Sequence, residues 1–315
     1  MSTPAMATLY LARELAPVSL GRDREAFLEL APGARVLTSE WDALFVDARL
    51  RTRVAAVSRR VDRAGAFCRA AALAQHGIPV FGAPDDRVDL VAHAGRTRHN
   101  ARDVRRHHEP LPAADVQEVG GIRVTTLERT LYDVMRTARL ETAVVAGDAV
   151  LRHLAWDPAT NQYDAVAADA FRDRIGARLA ASPGARGVRQ ARFVAEFADG
   201  RAQLPGESLT RLRFWQFRLP DPELQRRVEL GGGRYALLDL ALPRRRRWVE
   251  FDGEAKYSDA AMLAGRSADE VVAAQLHRQR AVERATGWRC DRIGWSDVLT
   301  VDAFERWHRE IDLFP

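Results

Sequence analysis

The sequence predicts a mixed fold, α+β passing into α/β. A mostly helical N-terminal region with small β-hairpin elements is followed by a unit ordered helix, three strands, helix, strand, helix. Three observations predict it. The chain has 315 residues, 47% hydrophobic and 29% charged, too apolar for global disorder and long enough for two domains at about 150 residues each. Helix-like stretches in the first two thirds are punctuated by Gly and Pro. Three β-forming runs crowd between residues 224 and 252, joined by short turns. Residues 1–20 carry little pattern and are read as a leader, 21–180 as a first domain, 181–205 as a linker region and 206–315 as a second domain.

Taken in order, Asp47 to Val61 reads as a basic amphipathic helix. Phe67 to Gln75 reads as a second helix, with Gly77 placed to end it and Pro79 following. Val88–Ala92 is strand-forming. Val116 to Val124 is a hairpin turning at Gly120-Gly121, which suit positive backbone dihedrals. Thr125-x-x-Glu128 has the form of a capping box ahead of a helix from Leu127 to Arg136. Further helices are expected over Leu140–Leu154, Tyr163–Leu179 and Val188–Phe197. Glu207 to Phe217 opens the second domain as a helix. Leu224–Leu230 and Tyr235–Leu242 are strands joined across Gly231-Gly232-Gly233, and Arg246–Asp252 is a third. Ser267-Ala-Asp-Glu270 is a capping signature for a long helix to Thr286, stopped at Gly287. A strand over Trp288–Ile293 and a helix over Val301–Ile311 close the unit.

Composition excludes several classes. No apolar run approaches the ~18 residues of a membrane span, and the N-terminal residues lack a signal-peptide pattern. Cys68 and Cys290 stand far apart in no Cys-x-x-Cys pair, so a disulfide framework is not expected and a cytoplasmic setting is. Net charge is +5, which favours polyanionic partners. The charge is clustered: Arg51, Arg53, Arg59, Arg60 and Arg63; Arg105, Arg106, His107 and His108; and Arg244 to Arg247. His107-His108 has no cysteine or acid at ligand spacing and reads as exposed basic surface. Gly231–Gly233 lacks the lysine and hydroxyl of a phosphate loop. Trp288 and Trp295 read as core.

Of 48 basic residues, one, Lys256, is lysine. An ammonium can release a proton where a guanidinium cannot, so a lysine retained in an arginine-rich chain, beside carboxylates, is a candidate for chemistry. The acids lie just before it. Glu250 and Asp252 point to one side of a strand, ~7 Å apart at ~3.3 Å per residue. The short Pro243–Arg246 connection brings Asp239 across from Glu250. Three carboxylates between apolar flanks repel one another unless paired. Mg²⁺ or Mn²⁺ would resolve this and could activate water for phosphodiester cleavage, with Lys256 acting on water or phosphate. Ordinary ion pairs with Arg244–Arg247 or Arg278 would resolve it equally.

The stretch from Leu204 to Val298 resembles the restriction-endonuclease-like PD-(D/E)XK superfamily, and more closely its very-short-patch-repair-endonuclease-like domains. The resemblance is carried by Pro205-Gly-Glu-Ser-Leu-Thr-Arg211, Leu219-Pro-x-Pro-x-Leu-Gln225, Asp239, Val249-Glu-Phe-Asp-Gly-Glu-Ala-Lys-Tyr257, Arg278, Gly287-Trp288-Arg-Cys-x-Arg292 and Trp295-x-Asp-Val298. It implies that Asp239 and Glu250 are the metal-binding acids. Asp252 stands at the usual second position, Lys256 at the basic position, and Glu207 on the first helix as an assisting acid. Glu254-Ala-Lys256 is also a Glu-x-Lys, so the motif's register stays open between Glu250/Asp252 and Glu254/Lys256. Residues 34 to 155 more weakly resemble an AbiEi-type antitoxin region, through Ala70-Ala-Ala-Leu-Ala-x-His-Gly-Ile-Pro79, Gly121 to Asp133 and Ala146 to Arg152. The function expected is a metal-dependent DNA endonuclease of defence, repair or toxin–antitoxin type. The alternative is an inactive nuclease-fold DNA-binding protein or antitoxin-like regulator. DNA is the expected partner, through Arg244, Arg245, Arg246, Arg247 and Arg278. No membrane partner is expected, and self-association is left open.

Overall fold

The computed structural model describes residues 6–11, 26–61, 65–82, 86–92, 102–253 and 268–313. The chain is mixed α/β with several sheets. It divides into two compact units, residues 1–154 with 164–198, and residues 155–163 with 199–315. Among the described residues no helix is long and apolar enough to cross a membrane.

The first unit begins with strands β1 (Tyr10–Leu11), β2 (Phe27–Ala31) and β3 (Ala34–Leu37). They form an antiparallel sheet ordered β1-β3-β2. Sequence pattern places Tyr10–Leu11 in a leader, and the structure places it in this sheet. Two-residue strands show no alternation, and what holds this one is tertiary: Ala7 is buried and donates to Thr52 (3.3 Å), and the Thr8 amide donates to Glu40 (2.8 Å). Helices α1 (Thr38–Asp42) and α2 (Val46–Ser58) follow. A five-stranded sheet then assembles from β4 (Ala66–Phe67), β5 (Val88–Ala92), β6 (Val104–His108), β7 (Val116–Val119) and β8 (Ile122–Thr125), ordered β6-β5-β4-β8-β7. Helix α3 (Arg69–Gln75) ends at Gly77, where φ is +74°. Val36, Trp41, Val54, Val57, Phe67, Ala71, Leu90 and Val124 share one core, so α2 and α3 bury their apolar faces between the two sheets.

The helices α4 (Leu127–Thr137), α5 (Leu140–Ala155), α6 (Ala165–Ala180) and α7 (Val188–Phe197) complete this unit. The cap of α4 is Thr126, which accepts from the Arg129 amide (3.3 Å). Thr125 does not take the capping-box role read for it. Its buried hydroxyl bonds Thr130 (2.6 Å) instead, because Thr125 still belongs to β8. Helix α7 falls inside the segment read as a linker region and packs within the first unit. The paired two-residue strands β9 (Trp156–Asp157) and β10 (Gln162–Tyr163) belong to the second.

In the second unit, helix α8 (Pro205–Gln216) precedes strands β11 (Glu223–Gly231), β12 (Arg234–Leu242) and β13 (Arg247–Asp252). Helix α9 (Ala268–Thr286), strand β14 (Arg289–Gly294) and helices α10 (Trp295–Val298) and α11 (Val301–Glu310) complete it. The sheet order is β11-β12-β13-β14, the first three antiparallel and β14 parallel to β13. Trp248 to Phe251 are all buried, as a central strand covered on both faces requires. The capping signature at Ser267 lies outside the described residues. The long helix stops at Gly287 (φ +66°).

Arg129 knits the helical part of the first unit. Its guanidinium reaches Asp133 (2.7 Å), Asp115 (2.8 Å), Glu109 (3.2 Å) and the Pro110 carbonyl (2.9 Å). Arg178 brings α6 onto the same Asp115 (2.6 and 3.1 Å). Burial opposes the charge of Asp115, but Arg178 and Arg129 outweigh it and hold the carboxyl below its ordinary range. Asp115 therefore contributes stability that is present above pH ~4 and lost as pH falls through its depressed value. Replacing Arg129 by Met strands Asp133 away from water and leaves Asp115 to Arg178 alone. It is expected to lower unfolding free energy in urea by about 3–5 kcal/mol.

Candidate functional site

The acids singled out by sequence lie on α8, β12 and β13, and local packing explains how they are presented. Gly206 lets α8 approach β13 closely: a Cβ there would overlap the Phe251 ring. The next residue, Glu207, is 1% exposed. Its Oε2 accepts from the Gln203 amide (2.8 Å), just ahead of the helix, and from Gln225 Nε2 (3.4 Å) on β11. Glu207 thus holds the start of its own helix to the sheet.

Leu240 pairs with Val249, so the antiparallel register carries Asp239 to the position opposite Glu250. Asp239 Oδ2 accepts from the Phe251 amide (3.2 Å). Glu250 is 5% exposed. Trp248 Nε1 (3.1 Å), two residues earlier on the same face, and Arg278 Nη1 (2.8 Å) both donate to its Oε1. The other arm of Arg278 donates to the Leu237 carbonyl. One side chain from the middle of α9 therefore bridges β12 and β13. Asp252 Oδ2 accepts from Arg292 Nη1 (3.1 Å), whose Nη2 donates to Gln279 (3.1 Å) on α9. In the parallel pair β13–β14, Glu250 stands beside Arg292.

These partners change the electrostatics of the site. The repulsion for which the sequence suggests a cation is met, at Glu250 and Asp252, by guanidinium groups. Among the described residues no group of three or more His, Cys, Asp or Glu side chains is placed to hold a metal ion. Lys256 and Glu254 lie outside the described residues, as does the choice of register between them and Glu250/Asp252. Beside the site, burial and the nearby Glu250 charge push the Cys290 thiol far up.

The basic positions divide. Arg244, Arg245 and Arg246 are exposed on the turn between β12 and β13, with Arg246 in a left-handed conformation (φ +52°). Arg247 faces inward. It grips Asp291 with two bonds (2.6 and 2.7 Å) and donates to the Ile311 (2.8 Å) and Asp312 (3.0 Å) carbonyls. Arg278 is engaged by Glu250. The other two clusters are mixed, with Arg59, Arg60 and His108 exposed. Arg51 is buried, Arg53 bonds the Leu30 carbonyl (3.1 Å), and Arg60 pairs with Asp103. His107 is not the exposed surface expected of it: its side chain is 14% exposed and its Nε2 lies 2.7 Å from Asp89. That pairing crosses from β6 to β5 and has no signature in local sequence. Sequence reasoning also passes over Trp248 and the role of Arg292. Trp248 is legible as the same-face neighbour of Glu250. Arg292 needs the β13–β14 register.

No family model matches the chain. Two uncharacterized proteins of Mycobacterium tuberculosis, from strains CDC 1551 / Oshkosh and ATCC 25618 / H37Rv, are each 32% identical to it over 139 residues. The match covers 44% of this chain and 46% of each relative. The chain thus spans about half the length of the curated relatives it matches.

Two variants test the packing described above. Gly206→Ala forces a methyl into the Phe251 ring and is expected to lower stability by about 2–3 kcal/mol in denaturant titrations. Arg278→Met leaves Glu250 without its ion pair. Because Arg278 is half-exposed, the expected loss is smaller than for a fully buried pair, about 1–3 kcal/mol, and Glu250→Gln in the same chain should recover part of it.

Proposed function

We propose that residues 199–315 are a nuclease-fold DNA-binding module of a cytoplasmic, antitoxin-like or regulatory protein, in which arginines hold the acids. The observation that carries this reading is the pairing of Glu250 with Arg278 and of Asp252 with Arg292. The unit around them runs helix, three antiparallel strands, helix, parallel strand. That element order supports the restriction-endonuclease-like resemblance, and the resemblance of residues 34–155 to an AbiEi-type region supports the regulatory setting. Fold by itself does not fix activity. Binding of phosphates falls to Arg244, Arg245 and Arg246 on their exposed turn. Arg247 and Arg278 support the surface from within.

The Asp239–Glu250 juxtaposition favours a second reading, the Mg²⁺- or Mn²⁺-dependent endonuclease. Hard oxygen ligands on neighbouring strands suit such a cation, which takes only one or two carboxylates and keeps several waters. Asp239 and Glu250 would hold it, with Glu207 assisting and Lys256 supplying the positive charge.

One set of measurements separates the two. Under the first reading the protein binds duplex DNA with an affinity that falls as salt rises. Changing Arg244, Arg245 and Arg246 together to Gln should flatten the log–log slope by about 0.9 for each phosphate no longer neutralised. Nicking of supercoiled DNA should be absent with Mg²⁺ and with Mn²⁺. Cleavage that EDTA stops, and that Asp239→Asn or Glu250→Gln abolishes, would replace this reading with the endonuclease. An unchanged salt slope in the triple variant would remove the turn from the interface.

A further inference from the structure

The first unit holds an open cavity of about 280 Å³ that none of the preceding chemistry uses. Its apolar wall comes from Leu73 on α3, Val80 and Phe81 in the segment that follows, and Val134 and Ala146 on α4 and α5. Arg69, Arg105, Arg139, Asp89 and Thr142 also line it.

The polar groups are incompletely used by the protein itself. Asp89 Oδ1 is taken by His107 Nε2 at 2.7 Å, whereas Arg105 Nη1 stands 3.8 Å away, beyond hydrogen-bond reach. A His107 nitrogen that donates to Asp89 has no lone pair left to accept. Arg69 Nη1 lies 3.0 Å from that same nitrogen, which cannot donate to Asp89 and accept from Arg69 at once. Arg69 is held in place by its other arm, on Glu109 (2.9 Å). Arg139, exposed just ahead of α5, has no ion-pair or hydrogen-bond partner for its side chain among the described residues. The same is true of the Thr142 hydroxyl, one turn further on. Gly82 passes directly over that hydroxyl, and a Cβ there would lie 2.9 Å from it. Arg69 is engaged by Glu109, which Arg129 shares, and Arg105 faces Asp89 at 3.8 Å, whereas Arg139 has no acid against it among the described residues.

We propose that this cavity binds a small organic anion, with an apolar body of about one ring against Phe81, Val80 and Leu73 and a compact oxyanion head between Arg139, Arg105 and Arg69. Concave, mostly apolar pockets with a few convergent polar groups bind this class of ligand, and ~300 Å³ is the small end of their range. The volume selects a metabolite-sized molecule. A guanidinium fork suits phosphate and carboxylate alike, and the Thr142 hydroxyl adds a neutral donor. The inference lies wholly in the first unit and does not depend on the reading proposed for the second.

Calorimetric titration of the full chain with phenyl phosphate, benzoate, inorganic phosphate and benzamide tests it. At least one ring-bearing anion should saturate with Kd below about 1 mM, and neutral benzamide should not bind. If phenyl phosphate alone saturates, the head group is phosphate; if benzoate alone does, it is carboxylate; if both do, the site reads the oxyanion generally. Arg139→Gln is expected to weaken binding about tenfold and Thr142→Val a few-fold, with the thermal unfolding midpoint unchanged because both groups lack protein partners. No saturation by either ring-bearing anion up to about 10 mM overturns the proposal. So does binding that Arg139→Gln and Arg105→Gln both leave unaltered, or inorganic phosphate binding as tightly as phenyl phosphate.

Discussion

A carboxylate that leaves water must take a donor with it, and at four of the buried acids of this protein that donor is arginine. Asp115, Asp133, Glu250 and Asp291 are all nearly inaccessible to solvent, and each meets a guanidinium within 2.8 Å. An unpaired charge in such surroundings costs several kcal/mol. A guanidinium offsets that cost well because it is planar, permanently charged and able to serve two or three acceptors at once. The rest of the architecture depends on this use of the side chain.

Because one guanidinium can serve several acceptors, these residues also act as ties between elements. Arg247 joins β13 to β14 through Asp291 and to the end of α11 through the Ile311 and Asp312 carbonyls. Arg213, fully buried, joins α8 to the Val298 (3.1 Å) and Leu299 (3.0 Å) carbonyls. Arg278 spans β12 and β13. Basic residues therefore mix two populations: internal ties, and an exposed set that includes Arg244–Arg246 and Arg139. Net charge counts both equally, although only the exposed set can meet a polyanion.

The same constraint shapes the acid site. Acids assembled for a cation and acids assembled for arginine look alike along a strand, since both need alternate spacing and apolar flanks. They differ only in what stands across from them. Here that is Arg278 from α9 and Arg292 from β14, which lie 28 and 40 residues beyond Glu250 and Asp252 respectively. In the first unit the balance tips the other way at the cavity, where guanidinium groups outnumber the carboxylates within reach.

Sequence by itself determined what local physics controls. The hairpin at Gly120-Gly121 requires positive φ at both residues, and both have it (+56° and +75°). The stops at Gly77 and Gly287, the turn at Gly231–Gly233 and the helix–strand order of the second unit were legible for the same reason. Strand alternation and the short connection after Leu242 placed Asp239 opposite Glu250. Tertiary structure alone decided which charges face one another. The two-residue strands Tyr10–Leu11 and Ala66–Phe67 exist only through their pairing, being too short to carry a period. Thr126 caps α4 because Thr125 is retained by its sheet. His107 and Arg247 became internal, and Arg278 was engaged, because acids distant in sequence reach them, at distances that no local spacing encodes. The anion-sized cavity belongs to the same class. Its walls come from residues 69 to 146, and the spare charge at Arg139 is visible only once the guanidinium groups around it have been matched to their partners.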